Sequence, residues 1–240
     1  MAVGTAWVTG GSSGIGRAVV DGLVAGGATV AVLDVADPGR TDVAYQRCDL
    51  ADAASVAAAL DALETTVGPP DGLVLCAGVM SSQPVDGHDE ETWRRVLEVN
   101  LTSALLVLRR VLGPMRARGS GRIVTLASGT AVRVGRGTAA YAASKAGLIA
   151  LTKTVALEAA ADGVTANVVA PGVTDTPMTR AAFGSAEAVA RAAVEGPLAN
   201  PQGAPLRPEE VVAAVLFLLG DGAARITGQV LHVNGGSLML

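Results

Sequence analysis

The sequence predicts an α/β fold, a single domain over residues 1–240 in which a parallel sheet is covered by helices on both faces. Three observations carry this. Short β-branched runs alternate with longer Ala- and Leu-rich stretches along the chain. The runs VLCA (74–77) and VVA (168–170) are apolar without a break, as strands buried on both faces are. A Gly-rich turn stands between the first strand and the first helix.

In chain order, the expected strands are 5–9, 29–34, 44–49, 72–77, 122–128, 165–171 and 229–234. The expected helices are 15–25, 53–67, 90–117, 139–161 and 207–219. Asp52 or Ser55 can cap the second helix, and RPEE (207–210) places Pro and two acids in a first turn. Half of the residues are hydrophobic and 2% are aromatic, so the core is expected to be built from Ala, Val and Leu. No Pro/Ser-rich linker divides the chain. Residues 178–206 fit the pattern least well and read as a flap over a site.

Composition excludes several classes of function. The net charge of −4 and the lack of a basic stripe argue against a nucleic-acid partner. The arginines of 109–122 read as a solvated helix end. Cys48 and Cys76 are not at metal-binding spacing and read as buried free thiols, and His88 and His232 are far apart, so no metal site is expected. The longest apolar run, 211–219, is half a membrane span, and the N-terminus carries no basic leader. These features lead to the expectation of a cytoplasmic protein with no membrane partner.

The turn TGGSSGIG (9–16) is the first chemical motif. Gly10, Gly14 and Gly16 permit a tight turn and close approach of backbone to a pyrophosphate, and the helix start adds free N–H groups. Ser12, Ser13 and Ile15 lie in the same turn. Asp34 ends the second strand, 18 residues after Gly16. An acid there accepts from ribose hydroxyls and repels a 2′-phosphate, so the expected cofactor is NAD rather than its phosphate. Arg17 and Arg40 are the cations that could swing toward such a phosphate.

The second motif is YAASK (141–145). A tyrosine loses its proton near pH 10, so proton transfer near neutrality needs positive charge beside it. Lys145, four residues on, shares a helical face with Tyr141. Ser128 ends the fifth strand, where carboxyl ends of strands meet the ligand crevice, and its hydroxyl could hold a carbonyl oxygen.

Together with Asp49, CAG (76–78), Asn100 in VNLTSA, PGVTDT (171–176) and ITGQVLHVNGG (226–236), these motifs make the chain resemble the classical short-chain dehydrogenases/reductases over nearly its full length. The resemblance implies a Rossmann-type doubly wound domain with a seven-stranded parallel sheet. It implies Tyr141 as general acid/base, Ser128 steadying the substrate oxygen, and Lys145 lowering the Tyr141 pKa while binding the nicotinamide ribose. Asn100 would hold a water in a proton relay. Asp49 and Leu50 would contact adenine; Cys76, Ala77 and Gly78 would line the cofactor. Pro171, Gly172, Thr174 and Thr176 would lie on the nicotinamide side. A small-molecule alcohol or carbonyl substrate and a homotetramer or homodimer are implied as well. The alternative on the same fold is a non-catalytic dinucleotide-binding sensor.

Two positions depart from the family pattern. Cys76 stands where an asparagine usually braces the central strand, and Thr174 where Val or Ile is usual. The short connection after Asp34, with WVTG (7–10) and VTDTPM (173–178), is similar to the 2,3-dihydro-2,3-dihydroxybenzoate dehydrogenases, which oxidise a cyclic diol carboxylate with NAD. Arg133 and Arg136 are the candidate carboxylate partners. Met80, Met178 and Phe183 are candidate pocket walls.

Overall fold

In the computed structural model, which describes residues 3–239, seven parallel strands form one sheet in the order β3-β2-β1-β4-β5-β6-β7. The strands are β1 (Thr5–Thr9), β2 (Thr29–Asp34), β3 (Ala44–Arg47), β4 (Gly72–Leu75), β5 (Gly121–Leu126), β6 (Val164–Pro171) and β7 (Val230–Val233). The strand order reverses between β1 and β4, which pair in the register Trp7↔Leu73. That reversal opens a crevice at the carboxyl ends of the strands.

Side-chain alternation divides the core into two layers. Ala6 and Val8 of β1, Val30 and Val32 of β2 and Val74 of β4 face one layer. There they meet α1 (Gly14–Ala25) and α8 (Pro208–Leu219) through Val19, Leu23, Val212 and Leu219. Trp7, Ala31, Leu33, Leu73 and Leu75 face the other layer. That layer is covered by α2 (Ala53–Val67), α4 (Ser103–Ala117) and α5 (Ala139–Ala159) through Leu60, Leu63, Val107, Val111 and Leu148. A fully buried Val or Leu contributes about 1.5–3 kcal/mol, so burial on both faces is what holds the central strands. Among the described residues, no helix is long and apolar enough to cross a membrane.

Local signals explain the helix ends. Asp52 caps α2 by accepting from the Ala54 N–H at 2.9 Å, while the Ser55 hydroxyl instead accepts from the Asp49 N–H. At α8 the Glu210 carboxylate accepts from the Arg207 N–H at 2.7 Å.

The stretch 90–117 differs from the single helix expected. It is α3 (Glu90–Leu97), a π-helical turn over Glu98–Thr102, then α4. Several strands stop short of the expected ends, and the residues beyond them, 48–49, 76–77 and 127–128, form the crevice rim. Segment 178–206 is folded. It contains most of α6 (Pro177–Phe183) and all of α7 (Ala186–Val194), and is closed at its base where the Leu206 N–H donates to Val173 O and the Asp175 N–H to Leu206 O, both at 2.8 Å.

Candidate active site

A cavity of about 240 Å³ runs along the carboxyl ends of the strands. One wall is the β1–α1 turn. Gly10 has φ +70°, and a Cβ there would lie 2.7 Å from Ala77 Cα. A Cβ on Gly16 would lie 2.0 Å from Gly10 O, so only glycine lets the helix start pack against its own turn. Ser13, the N-cap of α1, makes no side-chain cap, and no acid occupies the first turn. The first N–H groups are therefore unopposed by any carboxylate and suit an anionic pyrophosphate.

Asp34 stands at the end of β2. Its carboxylate accepts from the Ser12 N–H at 3.0 Å and the Ala36 N–H at 3.2 Å, which fixes it at the crevice with lone pairs to spare. Arg17 and Arg40 are both engaged elsewhere. Arg17 pairs with Asp21 at 3.2 Å and donates to Pro38 O. Arg40 forks onto Asp42 at 2.6 Å and also pairs with Asp21.

The reactive end lies between β5 and α5. Tyr141 is in the first turn of α5, and its phenol lies close enough to the Ser128 side chain for that hydroxyl to act on its pKa. Ser128 in turn accepts from the Thr130 N–H at 3.1 Å, which orients it at the strand end. One helical turn after Tyr141, the buried Lys145 ammonium donates to Leu126 O at 2.8 Å and lies 5.8 Å from the Tyr141 ring centre. Burial pushes the Tyr141 pKa up, against the lowering effect of the Ser128 hydroxyl. Burial likewise pulls Lys145 down to about 8.

Asn100 sits behind these groups, in the π-helical turn. Its Oδ1 accepts from the Val79 N–H at 2.8 Å, and its Nδ2 donates to Val79 O and to Ser144 Oγ, both at 3.0 Å. The extra residue per turn rotates Asn100 inward, onto both Val79 backbone groups. The bracing that Cys76 does not provide comes from Thr9, whose Oγ1 accepts from the Cys76 and Ala77 N–H groups at 3.2 and 3.3 Å. Burial pushes the Cys76 thiol up to about 12, so it is protonated and unreactive at neutral pH.

Of the residues singled out in the sequence, Gly10, Ser13, Gly14, Ile15, Gly16, Asp34, Asp49, Leu50, Cys76, Ala77, Gly78, Tyr141, Lys145, Pro171 and Thr176 line the cavity. Ser12 lies just outside, holding Asp34. Gly172 backs onto Asn234, and the Thr174 hydroxyl donates to Gly172 O at 3.1 Å, so it is already engaged. Met178 lines the cavity, whereas Met80 and Phe183 do not. Arg133 donates to Ser237 O at 2.8 Å, and Arg136 lines a separate concavity beside Val85 and Val134. Val79 lines the cavity within 78–85, the segment expected to form a wall, whereas sequence reading missed Val35, Cys48, Arg95, Val99, Leu126, Ala127 and Pro177 as wall residues. The position of Arg95 four residues before Val99, on one helical face, was the available signal.

A family model described as Enoyl-(Acyl carrier protein) reductase matches residues 10–237. The 3-oxoacyl-[acyl-carrier-protein] reductase of Escherichia coli K12 is 37% identical, with 98% of this chain and 97% of the relative covered. The chain belongs to the short-chain dehydrogenase/reductase family. Two further relatives in this family are each 37% identical. One is the cis-4-hydroxycyclohexanecarboxylate dehydrogenase of Sinomonas cyclohexanicum, covering 95% of this chain and 94% of the relative. The other is the 2,3-dihydro-2,3-dihydroxybenzoate dehydrogenase of E. coli K12, covering 97% and 96%. The solved ligand-free aldohexose dehydrogenase of Thermoplasma acidophilum superposes with a TM-score of 0.88 at 30% identity, covering 97% of this chain and 93% of that one. As a short-chain dehydrogenase/reductase, the chain is an oxidoreductase of alcohols and ketones that uses a nicotinamide dinucleotide.

Proposed function

We propose that the protein is an NAD(H)-dependent oxidoreductase that interconverts a secondary alcohol and a ketone, with Tyr141 as general acid/base. The observation that carries this reading is the grouping of Tyr141, Ser128 and Lys145 at one end of a crevice whose glycine-lined wall suits a dinucleotide. The glycine cradle and unopposed helix start would hold the pyrophosphate, and Asp34 the adenosine ribose. When bound, the nicotinamide supplies the two-electron hydride chemistry. Tyr141 holds the proton that the substrate oxygen gains or loses. Ser128, beside the phenol and oriented by the Thr130 N–H, positions that oxygen. Lys145, charged at neutral pH, favours the phenolate that oxidation requires.

NAD is favoured over its phosphate because Asp34 faces the crevice while Arg17 and Arg40 are occupied by Asp21, Asp42 and Pro38 O. The substrate we infer is a cyclic hydroxy or diol carboxylate, the chemistry named for two relatives. Arg133, five residues from Ser128, donates to the Ser237 carbonyl and, among the described residues, pairs with no acid. We also infer a homo-oligomer, in the form of a tetramer or dimer. Leu105 and Leu157 on α4 and α5 are 43% and 84% exposed, and Phe217 and Leu231 on α8 and β7 are 49% and 39% exposed.

The test is nicotinamide absorbance during turnover with cyclic diols, hydroxy acids, simple secondary alcohols and their ketones, using both cofactors. NADH-linked turnover that favours carboxylate-bearing rings supports the reading. NADH binding without turnover of any ring alcohol or ketone sinks the enzymatic role in favour of a dinucleotide sensor.

A further inference from the structure

Helix α3 carries two Glu/Arg pairs at helical spacing, Glu90/Arg94 and Glu91/Arg95. The first closes, with Arg94 on Glu90 at 2.8 Å. The second does not. Among the described residues, the Arg95 guanidinium has neither a hydrogen-bond partner nor an ion pair, although Glu91 lies one turn away. Arg95 instead lines the crevice.

Its position in the crevice is set by its neighbours. Val99, one turn after Arg95, belongs to the same apolar cluster as Leu50 and Cys48. Val35, Cys48, Asp49, Leu50, Arg95 and Val99 all line the cavity, and the Cys48 N–H donates to Asp34 O at 2.9 Å, which sets Cys48, Asp49 and Leu50 beside Asp34. This part of the crevice combines an apolar floor with a free planar cation. A flat, electron-rich aromatic ring fits that pairing: the floor takes one face and the guanidinium the other.

We propose that Arg95 is a cofactor-binding residue that stacks on the adenine ring of the bound dinucleotide. The proposal rests on the dinucleotide reading of the crevice. Both carboxylates nearby have backbone partners, Asp34 the N–H groups of Ser12 and Ala36 and Asp49 that of Ala51, and neither pairs with Arg95. The cation is thus left for the ligand.

The experiment is a fluorescence titration of NADH and a calorimetric titration of ADP-ribose with the wild type, Arg95→Ala and Arg95→Lys. Arg95 is exposed, and thermal melting confirms that the variants fold. The expected result is that Arg95→Ala weakens both ligands by the same factor, about five-fold, and that Arg95→Lys restores part of the loss. The ratio should persist in about 0.5 M salt, because contact stacking is screened less than attraction to phosphate. A wild type that binds neither ligand overturns the dinucleotide reading together with this one. Wild-type binding that Arg95→Ala leaves unchanged overturns the Arg95 assignment alone. A ratio that falls to unity in high salt overturns it too, since the cation would then be serving the phosphates.

Discussion

The Lys145 ammonium donates to the carbonyl oxygen of Leu126, the last residue of β5, at 2.8 Å, and among the described residues it pairs with no carboxylate. A buried cation held by a neutral acceptor is costly, and burial brings its pKa from 10.5 to about 8. The folded state therefore gives up this proton more readily than the unfolded state. Between pH 8 and 10.5 the unfolded chain binds more protons at this residue, so its contribution to stability rises with pH across that window. Below pH 8 the site is destabilising by about 3 kcal/mol. Lys145→Met should raise the melting temperature at pH 7 by several degrees, and the advantage should shrink by pH 10. Turnover should be lost at both pH values. A variant that melts below the wild type at pH 7 would show that the Leu126 bond outweighs desolvation.

Tyr141→Phe removes the phenol while keeping the ring. Turnover should fall by about a thousandfold, the range of a positioned acid/base, while NADH still binds. Ser128 offers a subtler test. Its hydroxyl is the influence that lowers the Tyr141 pKa against burial. In Ser128→Ala that pKa should rise, so the acid-side limb, over which alcohol oxidation increases with pH as the phenolate forms, should move to higher pH relative to wild type. An unmoved limb would mean that Ser128 does not tune the phenol.

Asn100 makes three hydrogen bonds from a buried position, two to Val79 and one to Ser144. Asn100→Ala leaves the backbone groups of Val79 without these partners and should cost about 2–4 kcal/mol, read from denaturant unfolding. Asn100→Asp keeps the acceptor for the Val79 N–H but loses both donors, so it should also be destabilised. Stability equal to wild type in Asn100→Asp would show that the donors contribute nothing.

The parallel strands, the two covering layers and the glycine turn were legible because each follows from a short-range pattern. Alternating Ala6, Trp7 and Val8 send successive side chains into opposite layers, and a period of two can be read from the chain itself. The break in 90–117 was not legible. A π-helical turn at Asn100 depends on Val79, 21 residues earlier, whose backbone groups draw the side chain inward. Thr9 bracing Cys76 depends likewise on a partner 67 residues away. Arg95 and Val99 were hard to read as wall residues because their one signal, a spacing of four, does not say which face of the helical stretch meets the crevice, and Val99 shares its apolar cluster with Leu50 and Cys48 from distant parts of the chain. Asp34, by contrast, needed only its place at the end of a strand.

The surroundings of Asp34 set the last prediction. Asp21 holds both arginines that could serve a 2′-phosphate, pairing with Arg17 at 3.2 Å and also with Arg40. Asp34→Ala should weaken NADH by about tenfold, the loss of a charge-assisted bond to ribose, measured as the Kd. It should not create tight NADPH binding, because Arg17 and Arg40 remain paired. Removing Asp21 as well leaves Arg17 without an ion pair and Arg40 on Asp42 alone, beside a site no longer acidic. The double variant Asp21→Ala/Asp34→Ala should therefore bind NADPH more tightly than either single variant, by an excess of about tenfold, and the excess should fall with added salt. If the two changes simply add, the arginines cannot reach the ribose end, and Asp34 alone sets cofactor choice. If the wild type already prefers NADPH, Arg17 or Arg40 leaves Asp21 when the ligand arrives, and the assignment of NAD fails.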